Sequence, residues 1–128
     1  MSKQVIHTEH APAAVGPYSQ AIVANGFVYT AGQIAIVPAE GKMLDGDVQA
    51  QTRLALQNLQ AVLEAAGSDL TQVVKTTVFL DSMDDFAKMN EIYAEFFGEN
   101  PPARSAVEAA RLPLGALVEI EAVALVIS

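Results

Sequence analysis

Asn100-Pro101-Pro102-Ala103-Arg104-Ser105-Ala106-Val107-Glu108, running on through Leu112-Pro113 to Val118-Glu119-Ile120-Glu121-Ala122, is the stretch whose reading decides the fold. The two prolines stop whatever precedes them, because proline offers no N–H and disfavours helix in the residue before it. A strand-like run then carries Arg104, the Leu-Pro pair breaks it, and a second run begins at Val118. In an extended chain alternate side chains share a face. Val118, Ile120, Ala122, Ala124 and Val126 therefore line one side, and Glu119, Glu121, Val123, Leu125 and Ile127 the other. Both sides are apolar enough to be covered, so at least one glutamate sits in poor solvent. A carboxylate there needs a partner, a proton or a chemical role. Arg104 is the candidate partner nearby in sequence.

Working outward, Val5-Ile6 reads as a short first strand, and Ala11 to Pro17 as an ordered loop. Asn25-Gly26 is the strongest hairpin signal, since both residues accept positive φ. It joins a strand over 19–24 to one over 27–31. Residues 38–46 read as a polar loop. Asp47 is a suitable N-cap for a long helix whose Val48, Thr52, Ala55, Leu56, Leu59, Val62, Leu63 and Ala66 recur at helical spacing, with Gly67 as the residue just past its end. Residues 73–80 are β-branched and aromatic, hence a strand. Ser82-Met83-Asp84-Asp85 resembles a capping box for a second helix with Phe86, Met89, Tyr93 and Phe97 on one face. The order is β-β-β-α-β-α-β-β, an α+β fold with two helices layered on one face of a single sheet. The chain reads as one domain over 1–128.

Composition narrows the function. Fifteen acidic residues against seven basic ones give a net charge of −8, which opposes nucleic-acid binding. The absence of cysteine excludes disulfides and thiolate metal sites. His7 and His10 have no evident third ligand, so no metal is expected. There is no phosphate-binding glycine loop, no nucleophile elbow, and no apolar run of membrane-spanning length. No secretory signal is visible, and a cytoplasmic protein is the default expectation. With 52% hydrophobic residues and 17% charged, surplus apolar surface favours self-association.

Four blocks of this sequence together resemble the RidA/YjgF family: Gly16-Pro17-Tyr18-Ser19-Gln20, Thr30-Ala31-Gly32-Gln33-Ile34, Val74-Lys75-Thr76-Thr77-Val78-Phe79, and the opening stretch with its Pro102-Ala103-Arg104-Ser105 and Glu119-Ile120-Glu121-Ala122. They occur in the family's order and spacing and span nearly the whole chain. The resemblance implies a chorismate-mutase-like mixed sheet, a homotrimer with sheets facing inward, and ligand clefts between subunits. It implies hydrolysis of reactive 2-imino acids or their enamine tautomers (2-iminopropanoate, 2-iminobutanoate) to 2-keto acids and ammonia, without a cofactor.

The same resemblance assigns roles. Arg104 becomes the carboxylate anchor, through the planar fork that arginine offers a carboxylate. From the residues alone, a salt bridge to Glu108, Glu119 or Glu121 accounts for it more economically. Glu119 becomes the base that positions water, a role that a carboxylate in apolar surroundings suits. Tyr18, Gly32, Gln33 and Asn90 become substrate-binding residues, although a loop-packing tyrosine, a β-bulge glycine and a polar helix-face asparagine are the plain alternatives. Two positions depart from the family's usual residues. Ala106 stands where a cysteine is frequent, which argues against thiol chemistry, and Ala31 stands where a serine is frequent. A non-catalytic carboxylate-binding regulator and an RNA-cleaving translation inhibitor stay open as other classes. The acidic charge disfavours the second.

Overall fold

The computed structural model describes residues 2–127. The strands are β1 (Gln4–Ile6), β2 (Ala21–Ala24), β3 (Phe27–Thr30), β4 (Ile36–Val37), β5 (Lys42–Met43), β6 (Val73–Leu80), β7 (Ala103–Glu108) and β8 (Val118–Leu125), with helices α1 (Val48–Ala65) and α2 (Phe86–Phe97). Six strands form one sheet in the order β1-β2-β3-β8-β6-β7. All its neighbours are antiparallel except β6 and β7, which run parallel because α2 carries the chain back between them. The expected mixed sheet with two helices on one face is present. The 38–46 loop differs from the sequence reading, since Lys42–Met43 pairs with Ile36–Val37 in a small separate hairpin.

The local signals explain most boundaries. Asn25 and Gly26 both adopt positive φ between β2 and β3. Asp47 caps α1 by accepting a hydrogen bond from the Ala50 N–H at 2.9 Å, and Gly67 leaves the helix at φ 79°. At Ser82 the expected reciprocal box does not form. The Ser82 hydroxyl accepts from the Asp84 N–H, and a 3₁₀ turn over Met83–Asp85 leads into α2.

The core lies between the helices and one sheet face. Leu56, Leu59, Leu63, Val28, Val78, Leu80, Met89, Val118 and Ile120 are fully buried there. The strict alternation along β8, with Val118, Ile120, Ala122 and Ala124 buried and the residues between them half-buried or exposed, follows the sequence pattern. The opposite, helix-free face remains uncovered within one chain. Val5, Ile22, Tyr29 and Val123 form one register row across it, and Leu125 pairs with Phe27 in the next. Val5, Tyr29, Val107 and Leu125 are exposed large hydrophobics.

Candidate functional site

The site begins with an irregularity between β3 and β8. Tyr29 pairs with Val123, and Gln33 bridges Ile120. Four steps on one strand thus match three on the other, which is a β-bulge at Ala31–Gly32. The Thr30 hydroxyl accepts from the Ala122 N–H at 3.0 Å and closes the gap on one side. Mutual bonds between Gln33 and Ile120, at 2.8 and 3.0 Å, close the other. The bulge sets Gly32 directly under the Glu119 side chain. A Cβ at position 32 would overlap that carboxylate and lie only 2.8 Å from its Cδ and 2.9 Å from its Cγ. Glycine is therefore required for the observed seat of Glu119.

Glu119 is half-buried. Burial is the main force pushing its carboxyl above the ordinary glutamate value, with repulsion from Glu121 adding to it. No hydrogen-bond donor reaches the carboxylate among the described residues, so nothing there favours its charged form. It shares a cavity of about 510 Å³ with Tyr18, Gly32 and an apolar wall that includes Pro12, Ile34 and Leu114. The Tyr18 ring is half exposed, and its hydroxyl accepts from the Val15 N–H at 3.4 Å.

Arg104 lies elsewhere. It pairs with Thr76, whose buried side chain points at α2, whereas Glu119 pairs with Phe79 on the helix-free face. Arginine and glutamate thus project from opposite faces of the sheet and line separate cavities in one chain. The sequence left open which chain of an oligomer supplies each site residue, and within one chain the two side chains do not share a cavity. The salt bridge to Glu108, Glu119 or Glu121 does not form either, and the ion pair among the described residues is Arg53 with Glu95. Instead the guanidinium donates from Nη1 to Asn90 Oδ1 at 2.7 Å. It sits 4.8 Å from the centre of the Tyr93 ring and 5.3 Å from that of Phe86. Tyr93 is held in place by a 2.7 Å hydrogen bond with Thr76, and burial raises its pKa. Arg104 is thus oriented by neutral groups and meets no carboxylate among the described residues, and Asn90 is its positioning partner on α2. Ser105 faces away from it, as expected, and accepts from Lys75 Nζ at 3.0 Å.

Gln33 also lines this cavity, with its N–H committed to the Ile120 carbonyl. The Gly32 N–H has no such partner among the described residues and lines the cavity.

Three buried amides brace the cavity and escaped the sequence reading. The Gln20 side chain accepts from the Thr8 N–H and donates to the Thr8 and Pro12 carbonyls. Asn58 donates to the carbonyls of Ile34 and Ile36. Gln51 accepts from the Leu117 N–H at 2.9 Å. The signal was present for two of them: Gln51 and Asn58 are seven apart, on the buried stripe of α1, where an amide must find backbone partners.

Comparison with known proteins now decides the lineage. The family model described as Endoribonuclease L-PSP matches residues 8–126. The chain belongs to the RidA/YjgF family. It is 58% identical over 122 residues to a RutC family protein of Pyrococcus horikoshii, covering 95% of this chain and 97% of that one. It is 47% identical over 123 residues to the human 2-iminobutanoate/2-iminopropanoate deaminase, covering 96% and 90%. Among RidA folds of known structure, E. coli TdcF with bound serine superimposes with a TM-score of 0.91 at 43% identity, covering 95% and 98%. Among the described residues no helix is long and apolar enough to cross a membrane, and no group of three or more His, Cys, Asp or Glu side chains is placed to hold a metal ion.

Proposed function

We propose that this protein hydrolyses short 2-imino acids to 2-keto acids and ammonia, in clefts assembled between the subunits of a homotrimer. The observation that carries the reading is the Glu119 carboxylate seated over Gly32, with its pKa raised by burial, in the cavity that Tyr18 shares. The name of the human relative and the serine bound by TdcF, an amino acid with the same α-carboxylate, support the substrate class.

The chemistry asks little of the protein. The imine carbon is already electrophilic, so no metal or covalent intermediate is required. Water adds to the carbon of the protonated imine while Glu119 takes one of its protons, giving a neutral carbinolamine. Glu119 then delivers that proton to the amino nitrogen, accepts the hydroxyl proton as the C=O bond forms and the C–N bond breaks, and passes it to the departing ammonia. The sum is protonated imino acid plus water giving keto acid plus ammonium, with Glu119 returned to its carboxylate. Tyr18 and the free Gly32 N–H orient the substrate, and Arg104 holds its carboxylate.

Because Arg104 and Glu119 face opposite sides of the sheet, one chain does not complete this site. Arg104 stands on the edge strand β7, and the helix-free face is apolar and uncovered. Burying that face between copies removes it from water and sets the arginine of one subunit at the glutamate cavity of the next. Sedimentation is expected to give a trimer at micromolar concentration, and a monomer that releases ammonia from 2-iminopropanoate at full rate would refute the shared cleft. The direct test of activity is ammonia and pyruvate release from freshly generated 2-iminopropanoate above the spontaneous rate. Rates equal to the spontaneous one would leave a carboxylate-binding role.

Gly32→Ala offers a sharper check. The new Cβ pushes the Glu119 carboxylate from its seat, and a displacement of that size costs about 10²-fold in turnover. The measurement is kcat, with sedimentation showing that assembly persists. An unchanged kcat would mean that Glu119 does not act from the observed position.

The endoribonuclease label attached to the family model has a physical obstacle here. A chain with net charge −8 and only seven basic residues offers little to an RNA backbone.

A further inference from the structure

Leu114 is the residue the fold does not explain. It has φ 56° and ψ 25°, inside the 3₁₀ turn Pro113–Gly115, and it is 70% exposed. The left-handed region is an outlier for a bulky side chain, and asparagine or glycine would serve the turn better. Exposure of a large apolar group adds nothing to the core. Yet the turn is firmly fixed. The Ala116 N–H donates to the Pro113 carbonyl at 3.0 Å, Ala116 is fully buried, and Leu117 is tied to Gln51. A strained, exposed leucine on a rigid turn at the edge of the Glu119 cavity calls for a ligand contact.

The opposite edge has the same character. Val15 is 87% exposed and also lines the cavity. Its loop is anchored upstream where Gln20 holds the Pro12 carbonyl at 2.8 Å. Between the two edges the wall is Pro12, Ile34, Ile36 and Pro113, with Glu119 and Tyr18 as its polar side chains nearest the reaction. A cavity of about 510 Å³ is in the range of sites for much larger ligands (about 300–1,000 Å³) than a three-carbon imino acid.

We propose that Leu114, with Val15 opposite, forms an apolar lip that determines specificity by holding the substrate's side chain, so that this enzyme prefers imino acids with extended apolar side chains over 2-iminopropanoate. The inference rests on the deaminase reading of the same cavity. Each added methylene that leaves water for this wall raises kcat/KM by up to about fourfold.

The test uses the full chain and imines generated in situ by an L-amino-acid oxidase from alanine, 2-aminobutanoate, norvaline and norleucine. The wild type is expected to show kcat/KM rising along the series. Leu114→Asn keeps a residue that tolerates positive φ and removes the apolar contact. It is expected to flatten the series, lowering the norleucine-to-alanine ratio about tenfold, with KM for the long imines carrying the change. A flat or falling series in the wild type overturns the lip while leaving the deaminase reading intact. So does an unchanged ratio in Leu114→Asn, or a variant that dissociates the oligomer, which would make the leucine a subunit contact. Failure of the wild type on every imine removes the deaminase reading and this inference together.

Discussion

Glu119→Gln is expected to lower imine turnover by about 10²- to 10⁴-fold, the usual contribution of a general base, while the protein still binds a substrate-like 2-keto acid and melts higher at neutral pH. The first effect follows from the loss of the one carboxylate that lines the cavity among the described residues. The second follows from the sign of the pKa shift. Burial, then Glu121, raise the Glu119 carboxyl above its ordinary value. The folded state therefore binds this proton more readily than the unfolded chain does. Its contribution to stability is fully present below the ordinary glutamate pKa and is lost as pH rises through the elevated folded value. At pH 7 the ionised carboxylate is a net cost, and glutamine removes it. Solvent reaches half of the group and screens it, so the gain stays under about 1 kcal/mol. Melting curves at pH 7 and pH 4 check this, with the variant's advantage shrinking at the lower pH. Wild-type turnover should rise with pH across the same window, since only the ionised form accepts a proton. A variant with full turnover, or one that melts lower than wild type at pH 7, would make Glu119 a structural residue.

Most of the sheet and both helices were legible because their signals are local. Asn25-Gly26 determines its own turn, Asp47 and Gly67 bound α1, and the alternation in β8 assigns its faces without reference to any partner. The hairpin Ile36–Val37 with Lys42–Met43 was not legible, because two-residue strands carry too little periodicity to stand out from a loop. In the site, at least one of Glu119 and Glu121 could be placed in poor solvent from the neighbouring residues, and the family resemblance singled out Glu119. The bulge that seats it could not be read, since it depends on a one-residue mismatch between strands some ninety positions apart. The same holds for the opposed orientation of Arg104. Alternation within β7 was readable, and it separated Ser105 from Arg104 correctly. The face that Arg104 shares with Thr76 depends on the parallel register between β7 and β6, and no local pattern encodes that.

Arg104→Ala carries the second large effect and separates a cleft between subunits from one within a chain. Charge-assisted hydrogen bonds contribute about 1.5–3 kcal/mol each, so losing a two-pronged grip on the substrate carboxylate lowers kcat/KM by about 10³-fold. Arg104→Lys keeps the charge without the fork and should fall between the two. Inside the protein the alanine variant gives up one charge-assisted hydrogen bond to Asn90 and ring contacts with Phe86 and Tyr93, together about 2.5–5 kcal/mol, so its melting temperature and sedimentation are measured beside its rates. The decisive measurement combines this variant with Glu119→Gln. Each homotrimer alone is expected to be nearly inactive. Co-expressed and mixed in equal amounts, a closed ring of three places intact Glu119 beside a neighbour's intact Arg104 at about a quarter of its clefts, so about a quarter of wild-type turnover returns. If arginine and glutamate served the same cleft from one chain, every cleft would hold one defective residue or the other, and mixing would restore nothing.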